Sequence, residues 1–360
     1  MWLCRRSCST AARYQPASLA QRYKLTVEYV GTKFRGAQKQ PEELRGRTGP
    51  TVQDDLEASL AKLVPREPPP GIVLAARTDA GVHAVGNVAH VDLVRRDRHG
   101  TPLPAYTEAE VLNALNSDLD AHRIGVVSVR RVARGFHARH AASMRTYVYR
   151  LSCGPRPAAT PQPTVLRGDC CHAILKRRWL SVFEDHRLVQ VTEPLDVPAM
   201  RAAAQTLIGE HDWSSFRSAR CEASSPVRRL ETLDVEEEPP QTLHEYMPEF
   251  GRHIALRVRA RSFLYNQVRK IVAALIEVGA GRMSMAQLEA LLDARDVTQA
   301  PILAPAHGLY LASVEYPEAS HYETRTAGER WRATQLKEQT AEGRGARQST
   351  RTTDERAACP

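Results

Sequence analysis

From Tyr23 to Tyr29 apolar and polar side chains alternate, the period-two pattern of a strand with one face buried. The stretch VQDDLEASLAKL changes period. It places Val52, Leu56, Leu60 and Leu63 on one helical stripe, with Thr51 where a capping hydroxyl belongs. Two apolar runs, Ile72 to Ala76 and Val85 to Val94, predict strands around a glycine-containing loop, and EAEVLNALNSDL predicts a short helix behind a proline-rich connection. Further strands are expected at Ile124 to Val132 and at Thr146 to Leu151.

Between 154 and 195 the periodicity fades. Pro155, Pro157, Pro161, Pro163 and Pro194 predict a long connection, dividing the body into an amino-terminal lobe, 23–153, and a carboxy-terminal lobe, 196–317. The second lobe opens with an amphipathic segment, Val197 to Ile208, and continues with strands at Val227 to Val235 and His253 to Ala260. A strong helix is predicted over 263–279. Its buried stripe is Leu264, Val268, Ile271, Leu275 and Val278, and Gly279 is placed to cap its end. A shorter helix, Met285 to Leu292, and a last strand, Leu309 to Glu315, complete the lobe. The order helix, strand, strand, helix, strand occurs in both lobes, which predicts a duplicated α+β unit despite the absence of visible identity between them. The acidic run EEEPPQTLHEYMPE, 236–249, reads as a hairpin insertion, and 318–360 as a disordered charged tail.

Composition changes this picture at the ends. With 360 residues, of which 42% are hydrophobic, the chain can bury a core for two lobes, and no stretch of about 18 consecutive apolar residues predicts a membrane-spanning helix. The formal net charge is +9, but Arg5, Arg6, Arg13, Arg22 and Lys24 all precede the first acid, Glu28. The body is therefore close to neutral, and a nucleic-acid surface would have to gather its bases on one face. The leader, 1–22, is rich in Arg, Ser and Ala and lacks the apolar core of a secretory signal, so a mitochondrial transit peptide is expected. Cys4, Cys8, Cys153, Cys170, Cys171, Cys221 and Cys359 are odd in number and scattered, which predicts a reducing compartment rather than a disulfide framework. Cys170, Cys171 and His172 have no second half at zinc-finger spacing, and no metal is expected there.

The most unusual segment is Arg77–Thr78–Asp79–Ala80–Gly81–Val82–His83, a polar loop held between two apolar strands. Asp79 reads either as a turn former capping its own loop or as an active-site carboxylate, able at neutral pH to act as nucleophile or base. His83 reads equally as a hydrogen-bonded structural histidine. A carboxylate in a partly dry cleft needs a cation beside it. Arg269 and Lys270 sit off the apolar stripe of the 263–279 helix, where they are either that cation or part of a solvated face. In FHARHAASMRTYVYRL, Arg139, His140 and Arg145 are interleaved with Phe136, Tyr147 and Tyr149. Bases beside aromatics suit an extruded nucleobase, although tyrosines on a strand also serve as plain core.

The run ARTDAGVHAVGNVAHVDL resembles the signature of the TruA-type tRNA pseudouridine synthases. YKLTVEYVGTKFRGAQKQ, TVQDDLEASLAKL, FHARHAASMRTYVYRL, HDWSSFR, RSFLYNQVRKIVAALIEVG and APAHGLYLASVEYP are similar to the family's other motifs, in the family's order, so the resemblance spans 23–317. It implies a two-lobed α+β pseudouridine synthase fold, a mixed and largely antiparallel sheet flanked by helices, with a central cleft. It further implies isomerisation of uridine to pseudouridine in RNA, with the tRNA anticodon stem-loop as target, no cofactor, no membrane and a homodimeric assembly. By this resemblance Asp79 is the essential carboxylate, Arg269 its cationic partner and Tyr147 the ring that stacks on uracil. Arg77, His83, Arg145 and Leu309 are expected to bind substrate. Ala76 and Ala37 depart from the family pattern, which has Gly before the RTD run and GWQ at the earlier turn. The insertions at 154–195 and 236–249 point to a vertebrate-type member. The competing expectation is a non-catalytic RNA-binding or mitochondrial ribosome-assembly factor that keeps the fold.

Overall fold

A computed structural model describes residues 20–40, 49–65, 67–154, 184–239 and 252–317. The charged tail and most of the predicted transit peptide, the proline-rich connection and the acidic insertion lie outside the described residues; Gln21 and Arg22, assigned from the sequence to the leader, open the first strand, and Glu236, Glu237 and Glu238, assigned to the insertion, end a strand that starts at Val227.

The first strand, β1 (Gln21–Tyr29), buries the side that the alternation marks, with Tyr23, Leu25 and Val27 fully enclosed. Helix α1 (Val52–Leu63) starts where Thr51 accepts a hydrogen bond from the Asp54 N–H, while the Asp54 carboxylate accepts from the Thr51 N–H. Next come β2 (Val73–Leu74), β3 (His83–Leu93), α2 (Glu108–Leu119) and β4 (Ile124–Val132). The second series is β5 (Met144–Cys153), β6 (Val189–Val191), α3 (Val197–Thr206), β7 (Gly209–Asp212), β8 (Val227–Glu238), β9 (Arg252–Ala260), α4 (Gln267–Gly279), α5 (Met285–Ala294) and β10 (Leu309–Glu315).

These strands form one 10-stranded sheet in the order β4-β1-β3-β10-β5-β9-β8-β7, with β2 beside β3 and β6 beside β5. The duplication predicted from the sequence is visible in the pairing. In the first unit the chain runs β1-α1-β2-β3-α2-β4 and the strands lie β4-β1-β3-β2, all antiparallel. In the second unit β5, β8, β9 and β10 repeat that order as β10-β5-β9-β8, again antiparallel. Each is a split β-α-β arrangement. The units meet where β10 lies parallel to β3, Tyr310 opposite His83 and Leu311 opposite Ala84. Antiparallel pairs outnumber parallel ones, and helices flank the sheet, as expected of the α+β class.

Pairing also moves two boundaries. β5, which the sequence assigns to the first lobe, is the founding strand of the second unit, because its partners are β9 and β10. The proline-rich connection ends in a strand, β6, that pairs with the last residues of β5. Helix α4 begins at Gln267, four positions later than the start predicted at 263, because Asn266 adopts φ 65° and breaks the helical path. Gly279 is the last residue of α4 rather than its cap. A Cβ there would lie 2.7 Å from the Met200 side chain, so the glycine is required where α4 crosses α3.

One continuous core, from Tyr23 and Leu56 through Tyr149 to Trp213 and Leu275, crosses both units. A smaller cluster of Ala75, Val88, Val132, Phe136 and Ala138 is separate from it. Val88 and Ala89 are neighbours in sequence and fall in different clusters, as opposite faces of a strand require.

Candidate active site

The loop between β2 and β3 is fixed from below before any charge is considered. Tyr29 Oη and Thr78 Oγ1 are 2.8 Å apart, and the Asn87 amide donates to Tyr29 Oη and to the Ala76 carbonyl. Burial pushes the Tyr29 phenol up to about 12, so this network is neutral. From the side, the Ala37 N–H donates to the Thr78 carbonyl and the Gly81 N–H to that of Phe34. Gly31 and Gly36 permit this approach: a Cβ on Gly31 would fall 1.9 Å from the Val82 oxygen, and Gly36 sits at φ 104° with the Thr78 oxygen 2.9 Å from its Cβ position.

That framework presents Asp79 to Arg269, with the Arg269 Nη1 3.6 Å from the Asp79 Oδ2 and both side chains mostly enclosed. Burial raises the Asp79 pKa above the ordinary carboxylate value, while the neighbouring guanidinium pulls it down in part. Arg269 is itself held: its Nε donates to the Ala304 carbonyl at 2.7 Å and its Nη1 reaches the Asn266 Oδ1 at 3.5 Å. Tyr147, on β5, is 8% exposed, and its pKa is pushed up, first by burial and then by Tyr29 and Asp79. The phenol therefore keeps its proton throughout the physiological range. Phe263 meets the Tyr147 ring edge-on, with centroids 5.2 Å apart. Asp79, Arg269 and Tyr147 thus come together from the first unit, α4 and β5.

The remaining predicted residues divide. Arg77 is exposed at the same loop, and Leu309 opens β10 opposite Tyr149, on the sheet face that also carries Tyr147 and Leu311. His83 is a strut. It is 1% exposed, its Nδ1 accepts from the Gly31 N–H, and its Nε2 donates to the His186 and His307 carbonyls, so no ring nitrogen is left for a substrate. Arg145 donates its guanidinium to three backbone carbonyls, those of Ala75, Arg139 and Arg261. Tyr149 is core, fully enclosed with its hydroxyl donating to the Pro305 carbonyl. Lys270 reaches toward the Val297 carbonyl, away from Asp79. Among the described residues no group of three His, Cys, Asp or Glu side chains is placed to hold a metal ion, and no helix is long and apolar enough to cross a membrane.

A buried carboxylate beside a fixed guanidinium, next to a protonated phenol, suits chemistry in which a negative oxygen acts on a flat polar ring. Residues 203–317 match the family model described as tRNA pseudouridine synthase. Over 299 residues the chain is 40% identical to a tRNA pseudouridine synthase A of Methylobacterium nodulans, covering 83% of this chain and 97% of that protein. The enzyme of the same name from Dinoroseobacter shibae is 39% identical over 298 residues, 82% of this chain and 97% of that protein. The chain belongs to the tRNA pseudouridine synthase family.

As a pseudouridine synthase it is an isomerase, and its departures from the family pattern can be placed. Ala76 is buried and its carbonyl accepts from Asn87; it is not among the positive-φ residues, so the backbone here does not require glycine. Ala37 is fully enclosed and keeps both backbone contacts, to Thr78 and Gln53, that pin the synthase loop. Sequence reasoning missed Phe263, Asn266 and the Tyr29–Thr78–Asn87 network. Only the last left a signal, a polar Asn within the mostly apolar run from Val85 to Val94.

Proposed function

We propose that this synthase converts uridine to pseudouridine in tRNA, at the anticodon stem-loop and in mitochondria, with Asp79 as the group that opens the glycosidic bond. The observation that carries the reading is the Asp79–Arg269 pair, 3.6 Å apart, beside the buried Tyr147. In the net reaction the bond from uracil N1 to ribose C1′ breaks and a bond from C5 to C1′ forms. The proton lost from C5 is balanced by one gained at N1. Asp79 supplies the negative oxygen, Arg269 holds that oxygen ionised and oriented, and Tyr147 offers a ring face to uracil and keeps its hydroxyl proton. Stacking there offsets the few kcal/mol, by order of magnitude, that extruding a base costs. The basic, acid-free leader supports the organelle, and the family resemblance supports the homodimer.

The test is to incubate the full chain with unmodified mitochondrial tRNA transcripts and separate the digested nucleosides by chromatography. Pseudouridine is expected from the wild type and none above background from Asp79→Asn; equal product from both overturns the assignment of Asp79. Mapping the modified position tests the anticodon stem-loop. A fluorescent fusion with and without residues 1–22 tests the compartment, and sedimentation equilibrium tests the dimer. The non-catalytic alternative has no observation in its favour, since the ion pair and the tyrosine are both in place.

A further inference from the structure

Arg145 stands at the start of β5 without a carboxylate partner among the described residues. Its Nη2 donates to the carbonyls of Ala75 at 3.0 Å and Arg139 at 3.1 Å, and its Nη1 donates to that of Arg261. These carbonyls lie on three separate segments: the approach to the Asp79 loop, the turn before β5, and the exit of β9 toward Phe263. A planar guanidinium with fixed donors can tie three segments together in this way; a lysine ammonium cannot reproduce the fork.

Two of the tied residues are themselves arginines, and Arg77 follows the third by two positions. The side chains of Arg77, Arg139 and Arg261 are all exposed, and none makes a hydrogen bond or ion pair among the described residues. Their backbones are also gathered, because the carbonyls of Arg139, Arg261 and Ala75, two residues before Arg77, meet on the one guanidinium of Arg145. The charge of Arg139 is felt at both Arg77 and Arg145, and that of Arg261 at Arg145, with Glu222 offsetting part of the repulsion at Arg77. Cations gathered with so little compensation repel one another until an anion arrives.

We propose that Arg77, Arg139 and Arg261 form a cradle for backbone phosphates flanking the nucleotide that enters the Asp79 site, and that Arg145 is the positioning residue that assembles it. The proposal rests on the reading that the substrate is RNA. It also accounts for Arg145, whose sequence context suggests a substrate contact while its donors are spent on the protein.

The experiment measures binding of an unmodified tRNA transcript to the full chain over a range of KCl concentrations. Arg139→Gln and Arg261→Gln are each expected to lower the slope of log affinity against log salt by about 0.7–0.9, the loss of one phosphate contact, and the double variant by about twice that. Arg145→Lys keeps the charge yet is expected to lower the slope as the double variant does, with the loss falling on KM rather than kcat. Unchanged slopes in the two Gln variants overturn the cradle, and an unchanged slope in Arg145→Lys overturns its positioning role. Should Arg145→Lys fail to fold, the exposed Gln variants still decide. If the wild type makes no pseudouridine while the slopes fall as described, the enzymatic reading fails and the cradle stands.

Discussion

Asp79 is held at a cost to the fold. Because burial raises its folded pKa above the unfolded value, the folded state binds this proton more tightly, and the contribution of Asp79 to stability falls as pH climbs from the usual carboxylate range through the raised value. Asp79→Asn escapes that cost. It is expected to remove activity by at least about 10³-fold while melting no lower than the wild type at neutral pH, and a marked drop in Tm would contradict this account of the site. The same raised pKa sets the acid limb of kcat/KM above 3.8, the ordinary value, with activity falling as pH is lowered through it. Arg269→Gln removes the charge that pulls the carboxylate down, so its residual activity should show that limb at higher pH. The types and places of these two residues, an acid in a loop between strands and a base off an apolar stripe, made them candidates, and the family resemblance singled out Asp79 and chose Arg269 over Lys270. The roles of His83 and Arg145 could not be read in this way. The partners that define them, Gly31, His186 and His307 for one and Ala75, Arg139 and Arg261 for the other, are backbone atoms without a side-chain signature, and all but Arg139 are distant in sequence. His83→Phe leaves an amide and two carbonyls without their partner, and each buried group so orphaned costs about 1–3 kcal/mol, which urea unfolding would register.

Elements seat these side chains through their ends rather than their middles. The amphipathic stripe of α4 was legible from Leu264 to Val278, yet its true start is set by Asn266, whose left-handed backbone turns the chain and aims Arg269. Glycine adopts that conformation freely and alanine does not. Asn266→Gly should therefore fold close to wild type, whereas Asn266→Ala should lose about 1 kcal/mol or more, both read from urea midpoints. The turn after β1 is similarly decisive, because it lies against the Asp79 loop with no room for a methyl at Gly31. Strand limits followed the alternation closely for β4 and β10. They failed for β6 and β7, which are too short to show a period and exist because a neighbouring strand offers its edge.

At the scale of the molecule, the repeated order of elements was enough to foresee two related units, but not how they join. The parallel contact of β10 with β3 involves residues over two hundred positions apart, a separation that no local pattern encodes. Global stability should carry a signature of its buried histidines. Burial lowers the pKa of His83, and His90 and His307 fall to about 4, so the unfolded chain takes up protons first. Stability should then be lost as pH drops below the ordinary histidine value of 6.5, and a Tm that stays flat from there down toward 4 would refute this.

The carboxylate and its counter-ion come from opposite sides of the parallel seam, since Asp79 belongs to one repeat and Arg269 to the other. Neither repeat is a reagent alone. A nascent polypeptide that has completed its first repeat holds the carboxylate with no guanidinium beside it, and the ion pair can form only once the second repeat has docked.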